Sequence, residues 1–409
     1  MRYRVKDIAR INARTLPEGA PANFSFRYID IGAVDGLGNI DIPTESIVFG
    51  KAPSRARRLA PAGSVIVSTV RTYLKAIASV PNTGERLVFS TGFAVLEAMR
   101  KVDQRYLAYY CQSQPFVEEV AARSTGVSYP AINASEIGNL PISLPPLDEQ
   151  RRIAEFLDSE TAQIDRLMEA RERQARVFVE KLRAAAMGQT GRMEFHGCGP
   201  RHTVDVVPLR RAVSAVQTGS TPAGLLDSAD GTADGLPWYT PAAMNEALTL
   251  GAAEKFVQPG RAGVPVFKPG SILFAGIGES LGKVAYLHHE ATGNQQITAI
   301  LPLASVSGEF LAWQLWAARD EIREWAQYSR IRIINNDSLK SFPIYLPSRT
   351  EQDSVACALG EMRNFSDRFN ALSLKFRSAM ADRRLALITA AVTGQLDVTT
   401  ARPAHDRDL

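Results

Sequence analysis

The chain has 409 residues, 45% hydrophobic and 22% charged, enough for two or three soluble domains with real cores. A net charge of +4 permits a nucleic-acid partner without demanding one. Three scattered cysteines (Cys111, Cys198, Cys357) without CxxC spacing exclude a disulfide framework. With no long apolar run and no apolar signal core in MRYRVKDIARINART, they point to the cytoplasm.

Taken in chain order, residues 1–143 mix short apolar runs with Gly and Pro punctuation. GSVIVSTV and RLVFSTGFAVLEA read as strands bounded by turns, and QRYLAYYCQSQPFVEEVAA (104–122) as a short helix. At LPPLDEQRRIAEFL (144–157) the pattern changes to one long helix over 144–190. Its apolar positions Ile153, Leu157, Ile164, Leu167, Phe178 and Leu182 recur at helical spacing, interrupted by the polar run ARERQAR. EFHGCGPRH falls in a polar linker at 191–203. His196, Cys198 and His202 there match no zinc spacing and lack a fourth ligand, so no metal is expected.

Residues 204–345 return to strands (GSILFAGI, QQITAILPL) and a short helix, GEFLAWQLWAARDEIREWA (308–326). A second long helix follows over 346–398, with Val355, Leu359, Met362, Phe365, Phe369, Leu372 and Phe376 at 3–4 residue steps, before a tail at 399–409.

The second half repeats the first. NASEIGNLPISLPPLDEQ (133–150) aligns with NNDSLKSFPIYLPSRTEQ (335–352), AGSVIVSTVR (62–71) with PGSILFAGIG (269–278), and KLRAAAMGQ (181–189) with LITAAVTGQ (387–395). A period near 200 residues is far too long for a solenoid, so a whole module is duplicated. The expected fold is two tandem mixed α/β (α+β) globules, each followed by a long helix. The two helices pair as an antiparallel coiled coil with approximate two-fold symmetry. Counting from the Gln of Glu-Gln to the glycine of Gly-Gln gives helices of 38 and 42 residues, ending at Gly188 and Gly394. Such a rod would be roughly 60 Å long, more than one turn of duplex DNA.

A globule ending in LPISLPPLDEQRRIAEFLD, then a long helix ending in Gly-Gln, then the whole pattern again through ALITAAVTGQLDV, resembles the specificity subunit of type I restriction–modification systems. Ser348-Arg349-Thr350 depart from the Pro-Leu-Asp of the first copy, while Glu351-Gln352 keep the motif. The resemblance implies that each globule is a target recognition domain reading half of a split, asymmetric sequence in double-stranded DNA. It implies that the helices are spacers docking two methyltransferase subunits, joined by restriction subunits. The chain itself would be no enzyme and hold no cofactor; S-adenosylmethionine, ATP and Mg2+ would serve the assembled complex.

A reader of DNA needs cationic and amide side chains on loops. In VSTVRTYLKAIA, Arg71 and Lys75 interrupt an apolar pattern and should face out, since buried cations are costly; Arg71, Thr72, Tyr73 and Lys75 are candidates. Arg55, Arg57 and Arg58 in KAPSRARR suit phosphates. Ser124, Ser128 and Tyr129 lie on a polar loop. In the second copy the candidates are Lys283 after the GIGESLG turn, Gln295, Gln296, Arg330 and Arg332.

Catalytic motifs do not intrude. There is no GxxxxGK[ST], LPPL lacks the amide and aromatic residue of an amino-methyltransferase motif, and GIGESLGK reads as a tight turn. Two alternatives stay open: a coiled-coil scaffold that binds no nucleic acid, and a specificity subunit serving a fused restriction–methylation chain.

Overall fold

The computed structural model describes residues 2–126, 129–190, 206–227, 235–258, 263–328 and 331–398. The expected linker at 191–203, Ser128, Arg330 and the tail lie outside the described residues. The chain divides into two compact units: unit 1 is Met1–Ala170 with Leu374–Leu409, and unit 2 is Arg171–Ser373. The division therefore runs through both long helices and not at the globule–helix junctions. Among the described residues no helix is long and apolar enough to cross a membrane.

Unit 1 contains β1 (Arg2–Arg4), α1 (Val5–Ile8), β2 (Ala9–Ile11), β3 (Ser25–Ile29), β4 (Ile47–Val48), β5 (Ala56–Arg58), β6 (Val65–Ser68), β7 (Ile77–Ser79), β8 (Leu87–Ser90) and β9 (Phe93–Ala98). There follow α2 (Gln104–Gln112), α3 (Gln114–Arg123), α4 (Ala134–Gly138), β10 (Pro141–Ser143) and the long helix α5 (Leu147–Gln189), which continues into unit 2. The central sheet is antiparallel in the order β2-β9-β6-β7. Strand side chains alternate between faces. Val65 and Val67 of β6 accordingly pack with Leu107 and Cys111 of α2, and Ile66 with Ile29 and Phe89 of a second sheet, β4-β3-β8-β5. Burial on both faces is why GSVIVSTV is apolar throughout.

The stretch 104–122 is two helices where one was expected. Ser113 leaves helical backbone, and Pro115 has no N–H to continue the ladder to Cys111.

Unit 2 is built the same way. Its elements are β11 (Val206–Pro208), β12 (Val213–Thr218), β13 (Leu226–Asp227), β14 (Leu236–Tyr239), β15 (Lys255–Val257), β16 (Ile272–Ala275), β17 (Val284–Tyr286), β18 (Thr292–Gly293) and β19 (Ile297–Pro302). After these come α6 (Gly308–Ala317), α7 (Arg319–Trp325), β20 (Gln327–Tyr328), β21 (Arg332–Ile333), α8 (Asn336–Ser341), β22 (Pro343–Tyr345) and the long helix α9 (Arg349–Val392). The central order β12-β19-β16-β17 matches that of unit 1 strand for strand. Ile272 and Phe274 face Leu311 and Leu315 of α6, while Leu273 and Ala275 face Tyr239 and Phe267.

The repeated Glu-Gln has a structural answer. A glutamine amide offers one acceptor oxygen and two N–H donors. Gln150, 1% exposed, accepts from the Asp103 N–H at 2.8 Å and donates to the Lys101 and Pro145 carbonyls at 3.2 and 2.9 Å. Gln352, 2% exposed, accepts from the Ser307 N–H at 2.8 Å and donates to the Pro347 carbonyl at 2.8 Å. Asp103 and Ser307 are the N-caps of α2 and α6. Each glutamine thus pins the first turn of a long helix to the head of a globule helix and to the strand exit five residues back.

Within each unit the two long helices run antiparallel. In unit 1, Ile153 and Leu157 of α5 are buried with Ile388 and Val392 of α9, and the Tyr106 hydroxyl donates to the Ser143 carbonyl at 2.9 Å and the Val392 carbonyl at 3.5 Å. Burial raises the Tyr106 pKa, which keeps the hydroxyl a donor. In unit 2, Phe178 of α5 lies 5.2 Å from Phe365 and 4.6 Å from Phe369 of α9, and Leu182 shares a core with Leu359 and the Trp313–Trp316 pair. Full burial of a leucine contributes about 1.5–3 kcal/mol, so these contacts carry the pairing.

The seam differs in detail from the expected one. Ile153, Leu157, Ile164, Leu182 and Leu359 are buried, and Val355, Phe178, Phe369 and Phe376 are half-buried. Leu167, Met362, Phe365 and Leu372 are 48%, 37%, 50% and 57% exposed, while Met168 and Ser366 are buried. One-residue drift against the 3.6-residue repeat rotates Leu167, Met362 and Leu372 off the seam, while Phe365 stays at its edge against Phe178.

The helix ends also depart from expectation. α5 has 43 residues and runs through Gly188, whereas α9 has 44 and stops before Gly394, whose φ is +75°. Only Gly394 therefore terminates a helix, and the expected four-residue difference falls to one.

Candidate nucleic-acid interface

The candidate reading loops occupy the same backbone in both units. After β6, the Thr69 N–H bonds the Gly92 carbonyl, the Ser68 N–H the Ala76 carbonyl, and the Ile132 N–H the Thr69 carbonyl, each at 2.8–2.9 Å. After β16, Gly276 bonds Gln296, Ala275 bonds Lys283 and Ile334 bonds Gly276 in the same senses, at 2.9–3.0 Å. Each strand then makes a 3-10 turn, Thr72–Leu74 in unit 1 and Gly278–Ser280 in unit 2. It is closed by Leu74 N–H to the Arg71 carbonyl and by Leu281 N–H to the Gly278 carbonyl. Single bridges hold the turns to facing loops, Val70 with Ala131 and Ile277 with Ile333.

The residues on this shared frame differ. Two positions of the turn are left-handed in both units, which glycine alone adopts freely. Unit 2 supplies Gly278 (φ +75°) and Gly282 (φ +83°); unit 1 supplies Arg71 and Lys75, both at φ +51°. Gly282 has a packing reason as well, since a Cβ there would come within 2.8 Å of the Arg319 Cγ. Between these positions unit 1 exposes Tyr73 (58%), and unit 2 places Glu279 and Ser280. Arg71 stands over the Tyr129 ring at 5.5 Å, and Tyr129 is itself 68% exposed. Ile331, also exposed, is the unit 2 residue nearest in sequence register to Tyr129.

Of the other unit 1 candidates, Lys75 is exposed at the far end of the turn and Arg55 in a loop. Arg57 sits over the Phe49 ring at 4.8 Å, and Arg58 is half-buried in β5. Thr72 is corrected: it is 7% exposed, and its hydroxyl meets that of Ser124 at 3.0 Å while Ser124 donates to the Val120 carbonyl at 2.8 Å. That pair holds the turn against its neighbouring loop.

The unit 2 candidates are more internally engaged. Lys283 is half-buried, with its ammonium 3.4 Å from the Pro241 carbonyl. It occupies the register of Ala76, not Lys75. The Gln295 side-chain amide oxygen accepts from the Thr221 hydroxyl at 2.8 Å, and the Gln296 side-chain amide oxygen from the Asn294 side-chain amide at 3.1 Å. Arg332 is exposed in β21.

A family model described as the type I restriction modification DNA specificity domain matches residues 1–175 and again 212–367, most of the chain. The chain belongs to this family. Among solved structures, one from a study of complex assembly and conformational transition of the type I R-M system shares 23% identity over 97% of this chain and 98% of its own, with a TM-score of 0.62; it shows the shared fold. The HsdS subunit from Thermoanaerobacter tengcongensis matches at 22% identity over 97% of each chain, with a TM-score of 0.46. The type I restriction-modification S subunit from M. genitalium matches at 14% identity over 96% and 95%, with a TM-score of 0.42.

As a DNA specificity protein, the chain presents two copies of one frame with different chemistry at matching turns. Sequence pattern has Arg71 and Lys75 facing out of the core, and both are exposed. It missed the Gln150 and Gln352 joints, although their recurrence was visible, and it missed the left-handed backbone under Arg71 and Lys75. The signal for the latter was Gly278 and Gly282 at the aligned positions.

Proposed function

We propose that this DNA specificity subunit reads a split, asymmetric duplex sequence, one half through each globule, and docks methyltransferase and restriction subunits without catalysing a step itself. The single observation that carries the reading is the pair of turns sharing the frame bonds described above and bearing unlike residues within a DNA specificity family: the same frame twice, with two different surfaces, suits two different half-sites. Exposed Leu167 and Leu374 in unit 1, and Met362, Phe365 and Leu372 in unit 2, supply apolar helix surface of the kind a docked subunit covers. S-adenosylmethionine, ATP and Mg2+ belong in this reading to the partners. Co-expression with the partner methyltransferase, followed by mapping of methylated adenines in the host genome, tests it. Two short defined halves around a fixed gap are expected; an assembled complex that adds no methylation would turn the reading towards a scaffold without nucleic acid.

A further inference from the structure

We infer that Arg71 is a base-edge reader for the half-site served by unit 1, aimed by its own left-handed backbone. This rests on the DNA-reading function proposed above and adds the residue and the kind of contact.

A non-glycine residue held in left-handed backbone is strained, and it persists only where something fixes it there. Of the five other described non-glycine cases, four have interior work, and the fifth, Lys75, lies on the same turn. The Asn12 side chain accepts from the Val95 N–H at 2.9 Å, Ala247 and Leu248 are buried in a core, and the Lys101 carbonyl receives the Gln150 amide. The Arg71 carbonyl closes the turn by accepting from the Leu74 N–H, but its side chain has no interior work. It is exposed, and among the described residues its guanidinium makes no ion pair, only the approach to Tyr129. The backbone bonds of the turn do not need an arginine either, since the equivalent turn in unit 2 makes them with Gly278. A Cβ at Gly278 would meet only Ile331, at 4.0 Å, so the difference between the units is not one of space.

What strain can secure is direction. A phosphate contact accepts a flexible cation from many angles, as lysine provides. A base edge requires the flat guanidinium fork to arrive at a set orientation. The left-handed φ sets the Cα–Cβ vector of Arg71, and the Tyr129 ring, 5.5 Å from the guanidinium carbon, offers a face against which the fork can lie. Lys75 has the same backbone but borders a cavity of about 420 Å3 that Gln112 and Arg384 also line, so the geometry assigns Arg71 alone.

The test uses the full chain assembled with its methyltransferase subunits, carrying Arg71→Lys or Arg71→Gly. Arg71→Lys keeps the charge and loses the fork. It should bind random duplex as the parent does, lose roughly 5- to 150-fold of preference at one base position of one half-site, and leave the other half-site intact. Arg71→Gly should show the same loss with an unchanged or raised melting temperature, because glycine accepts the backbone. An unaltered methylation motif in both variants would overturn the inference and leave the proposed function standing. Uniform weakening on all sequences, with the salt slope shallower by about one and the motif kept, would also overturn it by making Arg71 a phosphate contact. A parent complex that recognises no split sequence would remove both.

Discussion

The glutamine joints and the strand-end turns are both repeated in this chain, but they are repeated differently. At the joints, Gln150 and Gln352 place the same side chain on the same two kinds of partner, an N-cap N–H and a carbonyl five residues back. At the turns, the backbone bonds recur while the residues change from Arg-Thr-Tyr-Leu-Lys to Gly-Glu-Ser-Leu-Gly. The difference follows from which atoms do the holding. A joint made by a side-chain amide cannot change its residue without losing bonds, whereas a turn closed by main-chain N–H and C=O groups leaves its side chains free for another purpose.

If that division is right, the largest effect should come from exchanging whole surfaces. Replacing residues 1–143 with the equivalent globule of another specificity subunit should change one half-site entirely and leave the other half and the gap unaltered, read by methylation mapping. A change in both halves would break the comparison. Next in size is loss of a joint. Gln150→Leu or Gln352→Leu fills the same space but strands a buried N–H and at least one carbonyl, which should lower stability by about 2–4 kcal/mol in urea unfolding of the full chain. No loss would show that the prolines alone hold the helix start. Phe178→Ala, removing a half-buried ring between Phe365 and Phe369, should cost about 2–3 kcal/mol.

Much of the fold was legible because it is written in periodicity and in repetition. Continuous apolar runs such as VIVS and ILFA marked the doubly covered strands β6 and β16, and Glu-Gln after a proline-marked exit marked both long helices. What was not legible depended on small angles. Leu167, Met362 and Leu372 fit the spacing of a seam, yet each is rotated outward, because pattern gives the face of a helix only to within about one residue. In sequence Thr72 groups with the outward-facing cations of its turn, and only the fold brings Ser124, 52 positions away, against it. The outward direction of Arg71 and Lys75 was legible from their misfit in an apolar run. Their left-handed backbone was not, since nothing local demands it of arginine or lysine.

The smallest expected effect separates two glycines that read alike, each before a glutamine at the end of a helix pattern. Gly394 is a true terminator: its φ is +75°, and the Leu396 N–H turns back to the Ala390 carbonyl at 3.0 Å. Alanine there should cost about 1 kcal/mol, since a Cβ crowds left-handed backbone. Gly188 lies exposed within α5, and the Thr190 N–H still reaches the Ala186 carbonyl at 3.0 Å beyond it. Alanine there should add about 0.5–1 kcal/mol through helix propensity. Opposite signs in the same urea titration would establish that one Gly-Gln ends its helix and the other is passed through; equal losses would mean that α5 also stops at its glycine, restoring the four-residue difference in helix length that the sequence pattern predicts.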